Sequence, residues 1–177
     1  ANFINCYYKY GPSTGKHKSR IYNISASTAD SSYIAAGTGV EGWGTDVYVD
    51  GNYVDENSSV TSDNTKGVDK DSNANHYGIW SKSNITDAEK IVHFRYENEY
   101  PVNTETAEDA YKSVLESAGA SIIRDSVDTR VTNDVKNRTG KIIDKPSDVG
   151  GYPTLDGGTM SKDSDLDGIP NEYEDKN

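Results

Sequence analysis

Val47-Tyr48-Val49-Asp50-Gly51-Asn52-Tyr53-Val54 is the stretch on which the architecture turns. β-branched and aromatic residues flank an Asp-Gly pair, and by local rules this is a two-stranded hairpin with its turn at Asp50-Gly51. The same residues equally suit a corner between successive strands of a parallel solenoid. Working outward, short β-type runs recur at Asn2 to Tyr8, Ser19 to Ser25, Ser32 to Ala36, Thr45 to Val54, Ser58 to Ser62, Tyr77 to Trp80 and Ile91 to Tyr96. Polar, irregular separators such as Gly11 to Thr14 and Asp69 to Asn75 divide them. Leucine occurs only at Leu115, Leu155 and Leu166, whereas isoleucine and valine are plentiful and tyrosine contributes 13 residues. That balance favours strands. Many short strands with uneven loops fit a solenoid or an irregular sandwich better than a regular meander.

The character changes near Thr104. Thr106 is placed to cap a helix whose apolar positions Tyr111, Val114, Leu115 and Ala118 follow helical spacing, with Asp109 three residues after the cap and Gly119 as terminator. A second helix is predicted from Ser126 to Arg138, with Val127, Val131 and Val135 on one side, Asp125 before it and Gly140 after it. Beyond Lys141 the chain is loop-like, rich in glycine and proline. It must lie against something to be ordered.

The 177 residues suffice for one domain with a core. A formal charge of -11, with no basic stripe, disfavours nucleic acid and anionic membranes as partners. No run approaches the ~18 apolar residues of a membrane span. Cys6 has no internal disulfide partner and reads as a small buried hydrophobe. His17, His76 and His93 are far apart and read as surface or packed imidazoles, since none lies in a zinc spacing. Arg124, Asp125, Asp128 and Arg130 read as ion pairs along a helix face. Tyr7, Tyr8, Tyr10, Tyr22, Tyr33, Tyr48, Tyr53 and Tyr77 read as half-buried packing residues with wet hydroxyls, and Trp43 between two glycines as a packing residue with room for a sugar ring. The four Asn-x-Ser/Thr sequons, at Asn23, Asn57, Asn84 and Asn137, match chance in a chain of this composition.

The sharpest chemistry lies at the end. Asp163-Ser164-Asp165-Leu166-Asp167-Gly168-Ile169-Pro170-Asn171-Glu172-Tyr173-Glu174 fills a twelve-residue calcium loop. Side-chain oxygens come from Asp163, Asp165, Asp167 and Asn171, a backbone carbonyl from Ile169, a tight turn from Gly168 and a bidentate carboxylate from Glu174. Calcium is the expected metal, because it takes six to eight oxygens at roughly 2.4 Å and no nitrogen or sulfur ligand is offered. Too few residues follow Glu174 for an exiting helix, so the loop reads as a structural clamp, and such a clamp favours an extracellular setting rich in free calcium.

Taken together, several stretches resemble the bacterial pectate lyases of the first polysaccharide lyase family. They are ANFINCYYKYGPST from Ala1 to Thr14, DVYVDGNYV with VTSDN between Asp46 and Asn64, the tail from Ala118 to Pro153, and the final acidic loop. The resemblance implies a mainly β fold, a right-handed single-stranded parallel β-helix of which this chain supplies three or four coils, followed by one or two helices and an extended calcium-bound tail. Coils are expected over residues 1–103, a helical and extended segment packing on them over 104–160, and the calcium loop over 161–177. It further implies secretion, calcium as cofactor and pectate, an acidic polysaccharide, as partner, cleaved by β-elimination at the uronate. In that family the aspartates holding catalytic calcium and the basic arginine lie in coils before the segment matching Ala1 to Thr14, so no catalytic residue is assigned here. This chain reads as the carboxyl-terminal half. An open first coil would expose unpaired backbone, to be covered by the amino-terminal half of the same protein or by another copy. The alternative function is a noncatalytic extracellular module that binds acidic polysaccharide or self-assembles through that edge.

Overall fold

The structure, a computed structural model, describes residues 1–26, 44–74, 77–86, 103–155 and 157–174. The strands expected at Ser32 to Ala36 and Ile91 to Tyr96, together with Tyr33, Trp43, His76 and His93, lie outside the described residues. The chain divides into two compact units, Ala1–Ile143 and Asp144–Asn177.

Among the described residues of the first unit, every strand pairing is parallel. Strands β1 (Asn2–Ile4), β2 (Tyr7–Tyr8) and β3 (Tyr22–Ile24) pair in turn with β4 (Val47–Asp50), β5 (Tyr53–Val54) and β6 (Val68–Lys70). Asn2 faces Tyr48, Tyr7 faces Tyr53 and Tyr22 faces Val68, so one separation of 46 residues relates β1, β2 and β3 to their partners β4, β5 and β6. Strand β7 (Ile79–Trp80) adds to β4, giving the order β1-β4-β7. The described part of this unit is thus strand-rich with a few helices, and its pairing is consistent with a partial parallel β-helix.

The Val47 to Val54 stretch is therefore a corner and not a hairpin, because β4 and β5 belong to different sheets. Gly51 makes the turn at φ +66°, and Asn5 makes the equivalent turn one coil earlier at φ +53°. Asparagine tolerates this left-handed region better than most residues. At Gly51 a Cβ would come within 2.1 Å of Asn5 Oδ1, so a side chain there would have to displace the Asn5 amide as well as adopt a strained φ. Val47 and Val49 point inward, while Tyr48 and Asp50 take the other face. Ile21, Ile24, Val54, Val60 and Ala74 complete a cluster with these valines, and Phe3, Tyr8, Tyr22, Val68 and Ile79 pack against it. Each fully buried valine or isoleucine contributes about 1.5–3 kcal/mol.

Two buried asparagines lock the corner. Asn52 Oδ1 accepts the Cys6 N–H at 2.9 Å, and its Nδ2 donates to the Phe3 carbonyl at 2.7 Å, so one side chain closes the corner of the preceding coil. Asn64 Oδ1 accepts the Asn52 N–H at 2.8 Å, and its Nδ2 donates to the carbonyls of Asn52 and Val60 at 2.9 and 2.8 Å. These amides stand in for strand partners that a corner cannot have.

Two local expectations fail. Ser58–Ser62 is a single helical turn, α1, and not a strand. Asn57 caps it through the Val60 N–H at 3.0 Å, and Thr61 Oγ1 bonds both the N–H and the carbonyl of Val54, at 3.0 and 3.1 Å. Such side-chain bonds to nearby backbone compete with a sheet ladder. Conversely, Asp69 and Lys70 in the polar separator belong to β6, where pairing with β3 overrides local propensity.

Helix α2 (Ala107–Ser117) is capped by Thr106, whose hydroxyl accepts the Asp109 N–H at 3.2 Å. Helix α3 (Ser126–Asn137) is capped by Asp125, which accepts from Val127 and Asp128 at 2.8 and 2.9 Å. It ends at Arg138, where the sequence places its end, and the left-handed cap at φ +56° is Arg138 itself. Val114, Val131, Val135 and Ala118 are exposed, so the helical stripes are covered only in part. Tyr111 on α2 stacks on Tyr7 at 4.3 Å, and Tyr7 on Tyr53 at 4.8 Å, which continues the coil's aromatic column into the helix.

Replacing Asn52 with Ala should lower the urea-unfolding free energy by about 3 kcal/mol, since it strands buried backbone groups as well as removing bonds. A loss below about 1 kcal/mol would contradict this account of the corner.

Candidate metal centre

In the second unit, Asp163, Asp165 and Asp167 each bring a carboxylate oxygen within 4.8 Å of the others. The loop winds around Asp163, whose Oδ1 accepts the Leu166 N–H at 2.8 Å and whose Oδ2 accepts the Gly168 N–H at 2.9 Å. Leu166 and Gly168 reach these positions at φ +62° and +92°. Asp167 Oδ1 accepts the Ile169 N–H at 2.8 Å. Asn171 closes the loop from the start of a short helix, α4 (Asn171–Glu174): its Oδ1 accepts the Ser164 N–H and its Nδ2 donates to Ser164 Oγ, both at 2.8 Å. Every side chain in the convergent group offers hard oxygen. That donor set suits calcium or another hard divalent cation, and each oxygen engaged by an N–H keeps a further lone pair. Glu174 does not join the three aspartates.

The remaining candidates resolve differently. Cys6 is exposed, not buried, with its thiol donating to the Ile4 carbonyl at 3.4 Å. His17 is half-buried, and among the described residues no histidine or cysteine joins a metal-type cluster. The expected ion pairs near Arg124 do not form. Arg124 instead donates to the carbonyls of Leu115 and Glu116 at 2.6 and 2.8 Å, closing the end of α2, while Asp128 accepts the Ala120 N–H at 2.9 Å and Arg130 pairs with Asp134 at 3.3 Å.

A cluster without a sequence signal fastens the helices to the first unit's coils. Arg138 pairs with Asp55, reaches Glu56 at 3.1 Å and lies 4.8 Å from the Tyr10 ring centre. Lys18 lies 4.4 Å from the same ring, and the Tyr10 hydroxyl bonds Glu56. Lys9 donates to Tyr111 Oη at 2.8 Å and to the Lys136 carbonyl at 3.1 Å. Burial alone would lower the Arg138 pKa, but the Asp55 and Glu56 carboxylates leave it above its ordinary value. That direction is opposite to what a base would need. The hydrogen bond between them pushes Tyr10 up and holds Glu56 down. Burial, reinforced by the Asp55 carboxylate, raises Tyr7 to about 12, and burial beside Cys6 raises Tyr8 to about 12.

The chain is 36% identical to a probable pectate lyase C of Neosartorya fischeri over 130 residues, covering 72% of this chain and 28% of that protein. It is 33% identical to the probable pectate lyase C of Aspergillus oryzae, with the same coverage. Over 177 residues, 98% of this chain and 35% of the relative, it is 31% identical to the probable pectate lyase C of Aspergillus terreus. These relatives support a pectate lyase-like family. The chain spans 28% to 35% of the length of these curated relatives. No family model matches it, and no solved structure does. Among the described residues, no helix is long and apolar enough to cross a membrane.

A tyrosine whose folded pKa lies above its unfolded value of 10 supports folding fully below pH 10 and loses that support as pH rises through its folded value. Stability should therefore fall between pH 10 and about 12, with Tyr7 and Tyr8 ionising late. Ultraviolet titration checks this: all tyrosines ionising together near pH 10 while the chain remains folded would contradict it.

Proposed function

We propose that the chain is part of a secreted pectate lyase-like protein that cleaves pectate by calcium-dependent β-elimination, with its catalytic residues in sequence outside this chain. The observation that carries this reading is the similarity to proteins named pectate lyase C over 130 to 177 residues. The parallel pairing supports it, since one 46-residue separation relates β1, β2 and β3 to β4, β5 and β6, which suits successive coils of a β-helix. In this reading residues 1–103 supply coils and one wall of the substrate groove, 104–160 supply the helical and extended segment, and 161–177 supply the calcium clamp. Asp163, Asp165, Asp167, the Ile169 carbonyl, Asn171 and Glu174 would hold calcium in the tail, with Glu174 moving in from α4 to complete the set. Bound there, the ion would neutralise the clustered carboxylates and fasten the loop's two ends together.

A second reading is a noncatalytic module that binds acidic polysaccharide or assembles through its strand edge. It is favoured by β1, β2 and β3 each having one paired neighbour among the described residues. Their other edge suits a further parallel coil, from the amino-terminal half of the same protein or from another copy.

Two measurements test these readings. Incubated with polygalacturonate and calcium, this chain alone should give no ultraviolet absorbance from unsaturated uronide, whereas a longer chain including preceding coils should. Silence from the longer chain would overturn the lyase reading, and concentration-independent monomer behaviour in sedimentation would overturn assembly. For the metal, calcium should protect residues 144–174 from limited proteolysis, and chelator or Asp165→Ala should remove that protection while the strand-rich unit stays resistant. Equal cleavage with and without chelator would overturn the clamp.

A further inference from the structure

A cavity of about 380 Å³ lies between the C-terminal halves of α2 and α3, within the range of small-ligand sites. Lys112, Arg124 and Lys136 line it, opposed there by Glu116, with Thr132 and Asn133 as neutral polar neighbours. In a chain of charge -11, three cationic residues lining one concavity beside a single acidic one run against the background.

Helix C-termini ordinarily repel anions, because their last carbonyls are unsatisfied. Here several of those carbonyls are occupied. Arg124 covers the end of α2 through the carbonyls of Leu115, Glu116 and Ala118. Lys9 covers the Lys136 carbonyl near the end of α3 at 3.1 Å. Lys112 is held to Asp109 by an exposed contact of 3.0 Å, the kind of pair an incoming carboxylate displaces at little cost. Thr132 spends its hydroxyl proton on the Asp128 and Thr129 carbonyls, which leaves its oxygen as an acceptor. Asn133 offers both a donor and an acceptor. Cations for a carboxylate beside groups matched to hydroxyls are the recognition chemistry of an acidic sugar.

We infer that this groove binds a uronate unit of an acidic oligosaccharide directly, without a bridging metal. The inference borrows its ligand class from the proposed function, but it needs neither catalysis nor the calcium loop. A galacturonate trimer titrated into the chain at low salt with chelator present, followed calorimetrically, should give saturable binding that weakens as salt is raised. The uncharged galactose trimer should bind far more weakly. The double variant Lys112→Glu, Lys136→Glu should lose about tenfold or more in affinity, and Lys112→Arg, Lys136→Arg should retain it. Asn133→Ala, which leaves the charges in place, should weaken the charged trimer less than the double variant does. Circular dichroism confirms that each variant remains folded. Binding that survives the glutamate variant, equal binding of the neutral trimer, or no binding in chelator would each overturn the groove. Because chelator is present throughout, such a failure leaves the calcium clamp and the lyase reading standing. Conversely, failure of those readings leaves the groove's binding curve unchanged.

Discussion

Strand register governs this molecule, and a buried amide holds it. Asn52 spends both polar ends of its side chain on the coil before its own, while its backbone is held by Asn64. A parallel pair has no tight hairpin to fix its alignment, so another device must set which residue faces which. Here the corner amides set it. Once Cys6 and Phe3 are tied to Asn52, the alignment of β1 with β4 and of β2 with β5 follows from chain geometry. The inward valines, the tyrosine column and the seat for α2 follow from that alignment.

The sequence carried part of this plainly and part not at all. Alternation in Val47 to Val54 identifies strands, yet hairpin and corner share that pattern, and only pairing with residues 46 positions away separates them. The strand at Val68–Lys70 has one apolar residue and exists because β3 offers it a ladder. At Ser58–Ser62 the reverse holds: valine and threonine favour a strand, while Asn57 and Thr61 tie the backbone into a turn. Caps were legible, since Thr106 and Asp125 act within their own segments. The end of α3 at Arg138 was legible in position but not in what holds it. Arg138 adopts a conformation usually left to glycine, and its side chain is gripped by Asp55, Glu56 and Tyr10 from far upstream. Local rules miss long-range compensation of this kind.

The tail follows another logic. Its described side chains bury little, and Tyr152, Leu155, Met160 and Leu166 are all largely exposed. Backbone donors turn toward carboxylates there, and this tight loop was readable because its acidic and glycine spacing is written within twelve consecutive positions. Clustered acids and a packed coil are different ways of holding a chain in place, and this protein uses both.

Between β1 and β4 the paired residues stand 46 positions apart, whereas Val47 and Ile79, on β4 and β7, stand 32 apart in the same sheet. Neighbouring rungs thus accept connectors of quite different length without losing alignment. The entropy of closing a flexible connector grows only logarithmically with its length, so lengthening one adds little cost. Excursions between rungs are consequently natural places to graft foreign peptides, and lineages could diversify their surfaces there while leaving the spine untouched.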